Sequence, residues 1–460
     1  MISSRPATIE VPVQAAADLQ PTRVKNAGAF ALAITSLALL LMICWILPTS
    51  LTGTPIWAGV VIAPLLIAIS IPFLVREAKR QNDARLLWFL VAALLVKFLI
   101  GACLRRWVAI HLYGDRGDLV KYNAAGVDLS TAWHQGTFNV GGRHFVSTEF
   151  IEIFTGVVYT IIGPTLMGGF LFFSWLGFWG LFMMYRAFRI ALPDQSSRGY
   201  ARMLFFLPSL VYWPSSIGKE AFMLFVLGIA ALGTAKFLSG QIVKGVVLAG
   251  LGLTLCALVR PHVAVFAGMG LFAAAAIRKP RAGAKRFVPF AKTVSLVFVG
   301  VIAAVLILRA DVFLRESNID TEAGLGAALG DVADMATQGG SEYPPPVVDS
   351  PSKVPIAVVT VLFRPFPNEA VNAESLFAAL EGTLLLCFCI IRIRSIWAAA
   401  RSVRRLPYVT FAWMYTALSI AALSTFGNFG ILTRQRTLLY PVFFVLLFVK
   451  PVEKRRAVIR

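Results

Sequence analysis

The sequence predicts an all-α protein, a polytopic transmembrane helical bundle of about 12 spans (roughly 11–13). Of its 460 residues, 58% are hydrophobic and only 14% are charged, whereas a soluble domain carries about 25% charged residues. Several apolar runs also approach the length of about 20 residues that a helix needs to cross the hydrocarbon core. The chain is therefore predicted to be solvated largely by lipid.

Hydropathy places the predicted spans in order along the chain. They cover 27–47, 56–75, 86–104, 165–187, 200–215, 220–238, 243–259, 262–277, 290–309, 372–391, 408–426 and 434–449. A polar tail over 1–26 precedes this helical domain, which occupies 27–450, and a basic tail over 451–460 follows it. Pro208 and Pro214 interrupt the short span 200–215, so that span is predicted to be broken.

Charge orients the predicted helices. With alternating loops, one side holds 29 Lys and Arg against 6 Asp and Glu, and the other holds 13 against 17. The positive-inside rule makes the first side cytoplasmic. Both termini are then cytoplasmic, the long segments 105–164 and 310–371 are external, and a cell inner membrane is the predicted location. The net charge of +20 belongs to the cytoplasmic face, next to anionic lipid, which argues against a nucleic-acid partner.

Each long external segment has a distinctive part. Within 105–164, the stretch Phe150–Pro164 is too short and too polar for a span and is predicted to be an interfacial or re-entrant helix. Within 310–371, the stretch Asp331–Ser352 is rich in Gly, Ser, Pro and acidic residues and is predicted to be a flexible loop.

The first polar motif runs from Gly114 to Asn123, after the third predicted span. It holds Asp115 and Asp118, and Tyr122 lies four residues after Asp118, so that the two side chains share one helix face. A carboxylate held beside a membrane surface could take a proton from an incoming hydroxyl. The alternative is that Asp115 or Asp118 caps the helix by accepting backbone N–H bonds.

The second motif is a broken helix followed by a turn. Pro208 and Pro214 free backbone carbonyls, and Ser-Ser-x-Gly-Lys-Glu then ends at Lys219 and Glu220, where the next helix is predicted to begin. A helix N-terminus beside a lysine can bind an anion. The alternative is a serine cap with Lys219 extending towards the interface.

Three further external segments carry arginines against the positive-inside trend. Arg260 and His262 lie in a hairpin between two apolar helices, where an arginine needs an anionic partner, either a protein carboxylate or a ligand phosphate. Arg364 lies in a stiff Pro- and Phe-rich segment before the tenth span. Arg434 and Arg436 lie between the last two spans, and their alternative partners are acidic external residues.

Taken together, Lys219, Arg260, Arg364, Arg434 and Arg436 are five cations on the predicted external face, with Asp115, Asp118, Glu220 and Glu369 on the same face. Such a set could hold a lipid-linked phosphate and activate an acceptor hydroxyl.

The five cysteines fall mostly within apolar runs and predict neither a disulfide framework nor a metal site.

These motifs resemble those of bacterial membrane proteins of the GT-C type, which include polyprenyl-phosphate-sugar glycosyltransferases and polysaccharide-assembly proteins. The resemblance is carried by Asp-x-x-x-Tyr-Asn-x-x-Gly from Asp118, by Leu-Pro-Ser-x-x-x-Trp-Pro-Ser-Ser-x-x-Lys-Glu ending at Glu220, and by Arg-Gln-Arg at Arg434–Arg436. It extends over most of 100–450. The acidic motif follows the third span here and the first span in typical members, and the chain lacks the paired acidic residues that mannosyltransferases of this type often carry.

The resemblance implies a GT-C-like bundle that takes a sugar or oligosaccharide from a polyprenyl-phosphate donor at the external face. It implies a glycan or lipid acceptor, membrane lipids as partners, and a role in cell-surface polysaccharide assembly. Asp118 or Asp115 would be the base, and the external cations, with Tyr122, Glu220 and His262, would bind substrate. No cofactor is implied, since the cations already neutralise phosphate, although a divalent metal stays open.

Three other functions remain open from the sequence. A polysaccharide repeat-unit polymerase would use the same phosphate leaving group. A transporter or flippase of lipid-linked glycans or small molecules would need ionisable residues at mid-membrane, and Lys97 is the clearest example. A non-catalytic scaffold would have little reason to place arginines in external hairpins.

Overall fold

The structure is a computed structural model that describes residues 57–112, 117–278, 341–348 and 350–450. The predicted spans 27–47 and 290–309 lie outside the described residues, as do both predicted tails. Asp115 and half of the predicted flexible loop lie outside them as well. Two compact units divide the chain, Met1–Val96 and Lys97–Arg460.

The described residues fold into α-helices joined by short turns. In the first unit these are α1 (Trp57–Gln81) and α2 (Ala84–Val96). The second unit opens with the π-helical segment Lys97–Leu104. Its α-helices are α3 (Arg105–His111), α4 (Asp118–His134), α5 (Ser147–Ile162), α6 (Leu166–Ala191), α7 (Ser197–Phe206), α8 (Pro208–Tyr212), α9 (Lys219–Leu238), α10 (Ile242–Val259), α11 (Pro261–Ile277), α12 (Val354–Phe363), α13 (Ala373–Ile391), α14 (Ile393–Ser402), α15 (Pro407–Leu423), α16 (Phe429–Gln435) and α17 (Tyr440–Leu447).

Length and hydropathy confirm a multi-pass membrane protein. Within the described residues, 6 helices are long and apolar enough to cross a membrane: Val61–Gln81, Ala84–His111, Leu166–Ala191, Lys219–Leu238, Ile242–Val259 and Ala373–Ile391. The count rises to 7 if α14 and α15, which meet at a bend of 112°, form one span. The all-α prediction is confirmed at this level, whereas the count of about 12 spans is not.

Two predicted spans are not single helices. The stretch 200–215 consists of α7, α8 and the short 3₁₀ turn Trp213–Ser215, because Pro208 begins a new helix and Pro214 interrupts the next turn. The stretch 434–449 contains the end of α16, the 3₁₀ turn Arg436–Leu438 and the 8-residue helix α17, whose residues are all buried. Such a segment is apolar because it lies in the protein core, and hydropathy does not separate a core helix from a spanning helix.

Exposed apolar side chains mark surfaces that suit lipid. On α10, Val243, Val247 and Leu251 recur at four-residue intervals and are 76%, 62% and 49% exposed. On α13, Phe377 and Leu384 are 63% and 71% exposed. A contiguous apolar stripe of this kind would be a liability in water, whereas in a bilayer it is the solvated face of the helix.

The centre of the second unit is built on α6 and α9, the two most buried of the candidate spans. Gly180 of α6 and Gly228 of α9 lie at their crossing, where a Cβ on either residue would collide with the backbone of the other helix. Small residues at helix crossings let backbones approach closely in membrane proteins. Through this close contact, α6 supports α9 and therefore the residues at the start of α9.

Lys97 is 2% exposed and donates hydrogen bonds to the backbone of the broken helix. Its Nζ donates to the carbonyls of Leu210 and Val211, at 2.7 Å and 3.1 Å. The carbonyl of Leu210 would bond the amide of residue 214 in a continuous helix, but Pro214 has no N–H. Lys97 therefore satisfies an acceptor that the proline frees, which gives this residue a structural role.

We expect Lys97→Met to lower the unfolding midpoint of the purified protein, since a buried carbonyl without a donor costs about 1–3 kcal/mol. The added change Pro214→Ala returns an N–H to the helix and should recover part of the loss. Differential scanning fluorimetry in detergent measures both effects. The matched control is Lys244→Met, at an exposed lysine of α10. An unchanged midpoint in Lys97→Met would show that Lys97 does not hold the broken helix.

Candidate functional site

A cavity of about 340 Å³ lies in the second unit, within the size range of about 300–1,000 Å³ that small-molecule sites occupy. Its walls come from α3, the start of α4, the turn between α8 and α9, the start of α13, and α16. The lining includes Arg105, Asp118, Tyr122, Trp213, Glu220, Glu374, Asn428 and Arg434. Charged and aromatic groups from distant parts of the chain therefore meet in one partly open cavity.

Asp118 and Arg434 face each other across this cavity. Nη2 of Arg434 is 3.6 Å from Oδ2 of Asp118, and the two side chains are 34% and 55% exposed. Gly117, with φ at 104°, supplies the left-handed turn that starts α4 at Asp118. Asp118 therefore lies in the first turn of α4 as an accessible carboxylate beside a cation.

Glu220 is the centre of a buried charge cluster. Its Oε1 is 2.8 Å from Nη2 of Arg260 and 3.1 Å from Nε of Arg434. The side chains of Glu220 and Arg260 are only 9% and 8% exposed. A buried arginine requires an anionic partner, and for Arg260 that partner is the protein carboxylate, the first of the two alternatives that the sequence left open.

Lys219 and His262 belong to the same charge cluster but do not line the cavity. Lys219 lies close enough to Asp118, Glu220, Arg260 and Arg434 for all their charges to interact, and its Nζ donates to Oγ of Ser147 at 3.2 Å. His262 lies next to Arg260 and Lys219. Three cations (Lys219, Arg260 and Arg434) thus face two carboxylates (Asp118 and Glu220), which leaves one excess positive charge.

Tyr122 lines the cavity one helical turn after Asp118, as the sequence predicted. Burial, reinforced by the charges of Asp118 and Glu220, raises the pKa of this phenol well above its usual value. Tyr122 is therefore a neutral hydroxyl at physiological pH. Such a hydroxyl can donate a hydrogen bond to an oxyanion but is a poor base.

Another part of the cavity lining holds a group that sequence reasoning did not select. The guanidinium of Arg105 lies 4.7 Å from the ring centre of Tyr212 and 4.8 Å from that of Trp213. Its Nη1 donates to the Tyr212 hydroxyl at 2.8 Å and contacts Oε1 of Glu374 at 3.5 Å. Arg105 directly follows a predicted span, where a basic residue is ordinarily an interfacial anchor, so its sequence context alone did not distinguish it.

Arg364 lies beside the cavity and does not line it, although the next residue, Pro365, does. Its Nε bonds both carboxylate oxygens of Glu369, at 2.9 Å and 3.1 Å, and its guanidinium covers the stacked rings of Tyr343 and Phe429. Although burial opposes ionisation, the hydrogen bonds from Arg364 hold the pKa of Glu369 below its usual value. The guanidinium of Arg364 therefore joins Tyr343, within the predicted flexible loop, to Phe429 of α16.

Arg436 is fully buried, with 0% exposure, and does not reach the cavity lining. It donates from Nη1 to the backbone carbonyl of Arg364 and lies 5.4 Å over the ring of Tyr440. The buried carboxyl group of Glu381 lies near enough for the charge of Arg436 to act on it. This geometry places Arg436 in a positioning role, since it holds the segment that carries Arg364.

The structure therefore brings most of the predicted site residues to one place. Asp118, Tyr122, Glu220 and Arg434 line the cavity, whereas Lys219, Arg260 and His262 lie behind its lining and Arg364 and Arg436 lie beside it. Among the residues that the structure describes, no three His, Cys, Asp or Glu side chains are grouped to hold a metal ion.

Comparison with known proteins matches the chain to no protein-family model, no curated protein and no solved structure. The polytopic helical membrane fold rests on the structure, and the functional interpretation rests on the geometry of the cavity and on the motifs that line it.

Proposed function

We propose that this protein is a membrane glycosyltransferase that takes a sugar or oligosaccharide from a polyprenyl-phosphate carrier during cell-surface polysaccharide assembly. In this proposal the protein lies in the cell inner membrane with both termini cytoplasmic, and the cavity opens to the external face. The observation that carries the proposal is the pairing of accessible Asp118 with Arg434, backed by Glu220 and Arg260, in a cavity within a bundle of membrane helices.

Charge balance supports a phosphate ligand. A sugar linked through a phosphodiester to a lipid carries one negative charge, and the cluster around Glu220 has one excess positive charge, from Lys219, Arg260 and Arg434 against Asp118 and Glu220. When the sugar leaves, the phosphate gains a second negative charge. Fixed cations therefore bind the transition state more tightly than the ground state, which is the condition for catalysis.

Asp118 is the proposed base. Its carboxylate takes the proton of the acceptor hydroxyl, the acceptor oxygen attacks the anomeric carbon, and the bond from that carbon to the phosphate oxygen breaks with its electron pair left on the phosphate. Glu220 is the less suitable base because two arginines hold its buried carboxylate. Asp118 is 55% exposed, and its one charged contact within the described part of the chain is the longer one with Arg434, so a substrate can reach it.

Binding of undecaprenyl phosphate to the purified protein tests the phosphate site directly. We expect Arg434→Ala to weaken this binding about 10-fold or more, since a hydrogen bond to a charged group contributes about 1.5–3 kcal/mol. Native mass spectrometry or thermophoresis in detergent gives the dissociation constant. The matched control is Lys121→Ala, which removes an exposed cation of α4 outside the cavity lining. Binding that is absent, or equal in the two variants, would refute a lipid-phosphate site.

A further inference from the structure

We propose that the wall formed by Arg105, Trp213 and Glu374, here called the aromatic end of the cavity, is a subsite for an uncharged sugar residue of the acceptor. The assignment to the acceptor rests on the proposed function, whereas the recognition of an uncharged sugar rests on the geometry of this wall alone.

The aromatic end is preorganised by contacts among its own residues. The guanidinium of Arg105 lies beside the rings of both Tyr212 and Trp213. Those two rings meet edge to face, with centres 5.3 Å apart. Glu374 lies in the first turn of α13, and Asn372 caps that helix by accepting from the amide of Ser375 at 2.7 Å. Groups fixed in this way lose little conformational entropy when a ligand binds.

The same wall offers unused hydrogen-bonding capacity. Among the described residues, Glu374 has no polar contact other than the long one of 3.5 Å to Arg105. Its side chain is 26% exposed. No described residue accepts a hydrogen bond from the indole N–H of the half-buried Trp213, which lines the cavity. A strong acceptor and a free donor beside an aromatic surface suit hydroxyl groups on a ring with apolar C–H faces.

Charge separates this end from the phosphate site. Arg105 and Glu374 form a neutral pair, whereas the cluster around Glu220 has an excess positive charge. An anionic headgroup therefore gains electrostatic energy at the Arg434 side of the cavity and none at the aromatic end. Because Ala109 of α3 and Asp118 of α4 line the same cavity as Arg105, a sugar held at the aromatic end can present a hydroxyl towards Asp118.

The probes for this subsite are the methyl glycosides of glucose, galactose, mannose and N-acetylglucosamine. Saturation-transfer NMR on the full-length protein in detergent reports their contact, and titration gives affinities. We expect at least one of them to bind. Trp213→Leu and Glu374→Gln should each weaken binding about 5-fold or more, which is the loss expected for one hydrogen bond of about 1 kcal/mol.

The control is Trp397→Leu, which removes an indole that is 61% exposed and outside the cavity lining. Glu374→Gln retains the shape of the side chain and covers the case in which Trp213→Leu does not fold. Failure of every probe to bind, or binding unaffected by both cavity variants, would overturn the subsite. Failure of the phosphate site has a separate signature, since undecaprenyl phosphate would not bind while a methyl glycoside still bound in a manner sensitive to Glu374→Gln.

Discussion

Asp118→Asn is expected to reduce sugar transfer about 10²- to 10⁴-fold, which is the contribution of a positioned general base. The asparagine keeps the size and the contact surface of the side chain but has no basic oxygen to take the acceptor proton. Folding should be little affected, because Asp118 is 55% exposed and its contact with Arg434 is 3.6 Å long, and exposed ion pairs contribute little to stability.

The measurement is the amount and chain length of surface polysaccharide in cells that carry only the variant, with membrane levels matched to the wild type. Asp128→Asn is the control, since Asp128 is an exposed carboxylate of the same helix and does not line the cavity. Normal polysaccharide in Asp118→Asn cells would remove Asp118 as the base. A reduction in both variants would point to a general effect on α4.

Much of the site was predictable because membrane topology limits where charge is placed. Arg260 and Arg434 were selected because arginines on the predicted external face oppose the usual bias, and the structure places both against Glu220. The pairing of Asp118 with Tyr122 followed from four-residue helical spacing, and the start of α9 at Lys219 followed from the turn that precedes it. These predictions needed only local rules and the sign of the charges.

The features of the site that were not predicted from the sequence depend on contacts between distant segments of the chain. Arg105 and Glu374 are 269 residues apart along the chain, and a basic residue at a helix end has an ordinary explanation as an anchor. Arg436 was predicted to bind substrate, yet it is fully buried and donates to a backbone carbonyl. Its neighbour Arg434 reaches the cavity. The two residues lie two apart on a short helix and the turn that follows it, so they point in different directions.

Glu220→Gln is expected to destabilise the protein by about 3–5 kcal/mol, the usual cost of removing one partner from a buried ion pair. Arg260 would lose its carboxylate at 2.8 Å while its side chain is 8% exposed. Nη1 of this arginine already has no hydrogen-bond partner among the described residues. The unfolding midpoint in detergent measures the loss, and Asp194→Asn, at an exposed carboxylate before α7, is the control.

Removing Glu220 and removing Arg260 are expected to destabilise the protein to different extents, because the two residues have different numbers of charged partners. Glu220 has two cations within 3.1 Å, whereas Arg260 has one carboxylate. Arg260→Met leaves Glu220 paired with Arg434 and should cost less than Glu220→Gln. The double variant should be more stable than Glu220→Gln alone, because the buried cation without a partner is gone. A double variant that is less stable than either single variant would mean that the two residues stabilise the fold independently, and the cluster would then not be the coupled charge centre on which the phosphate site depends.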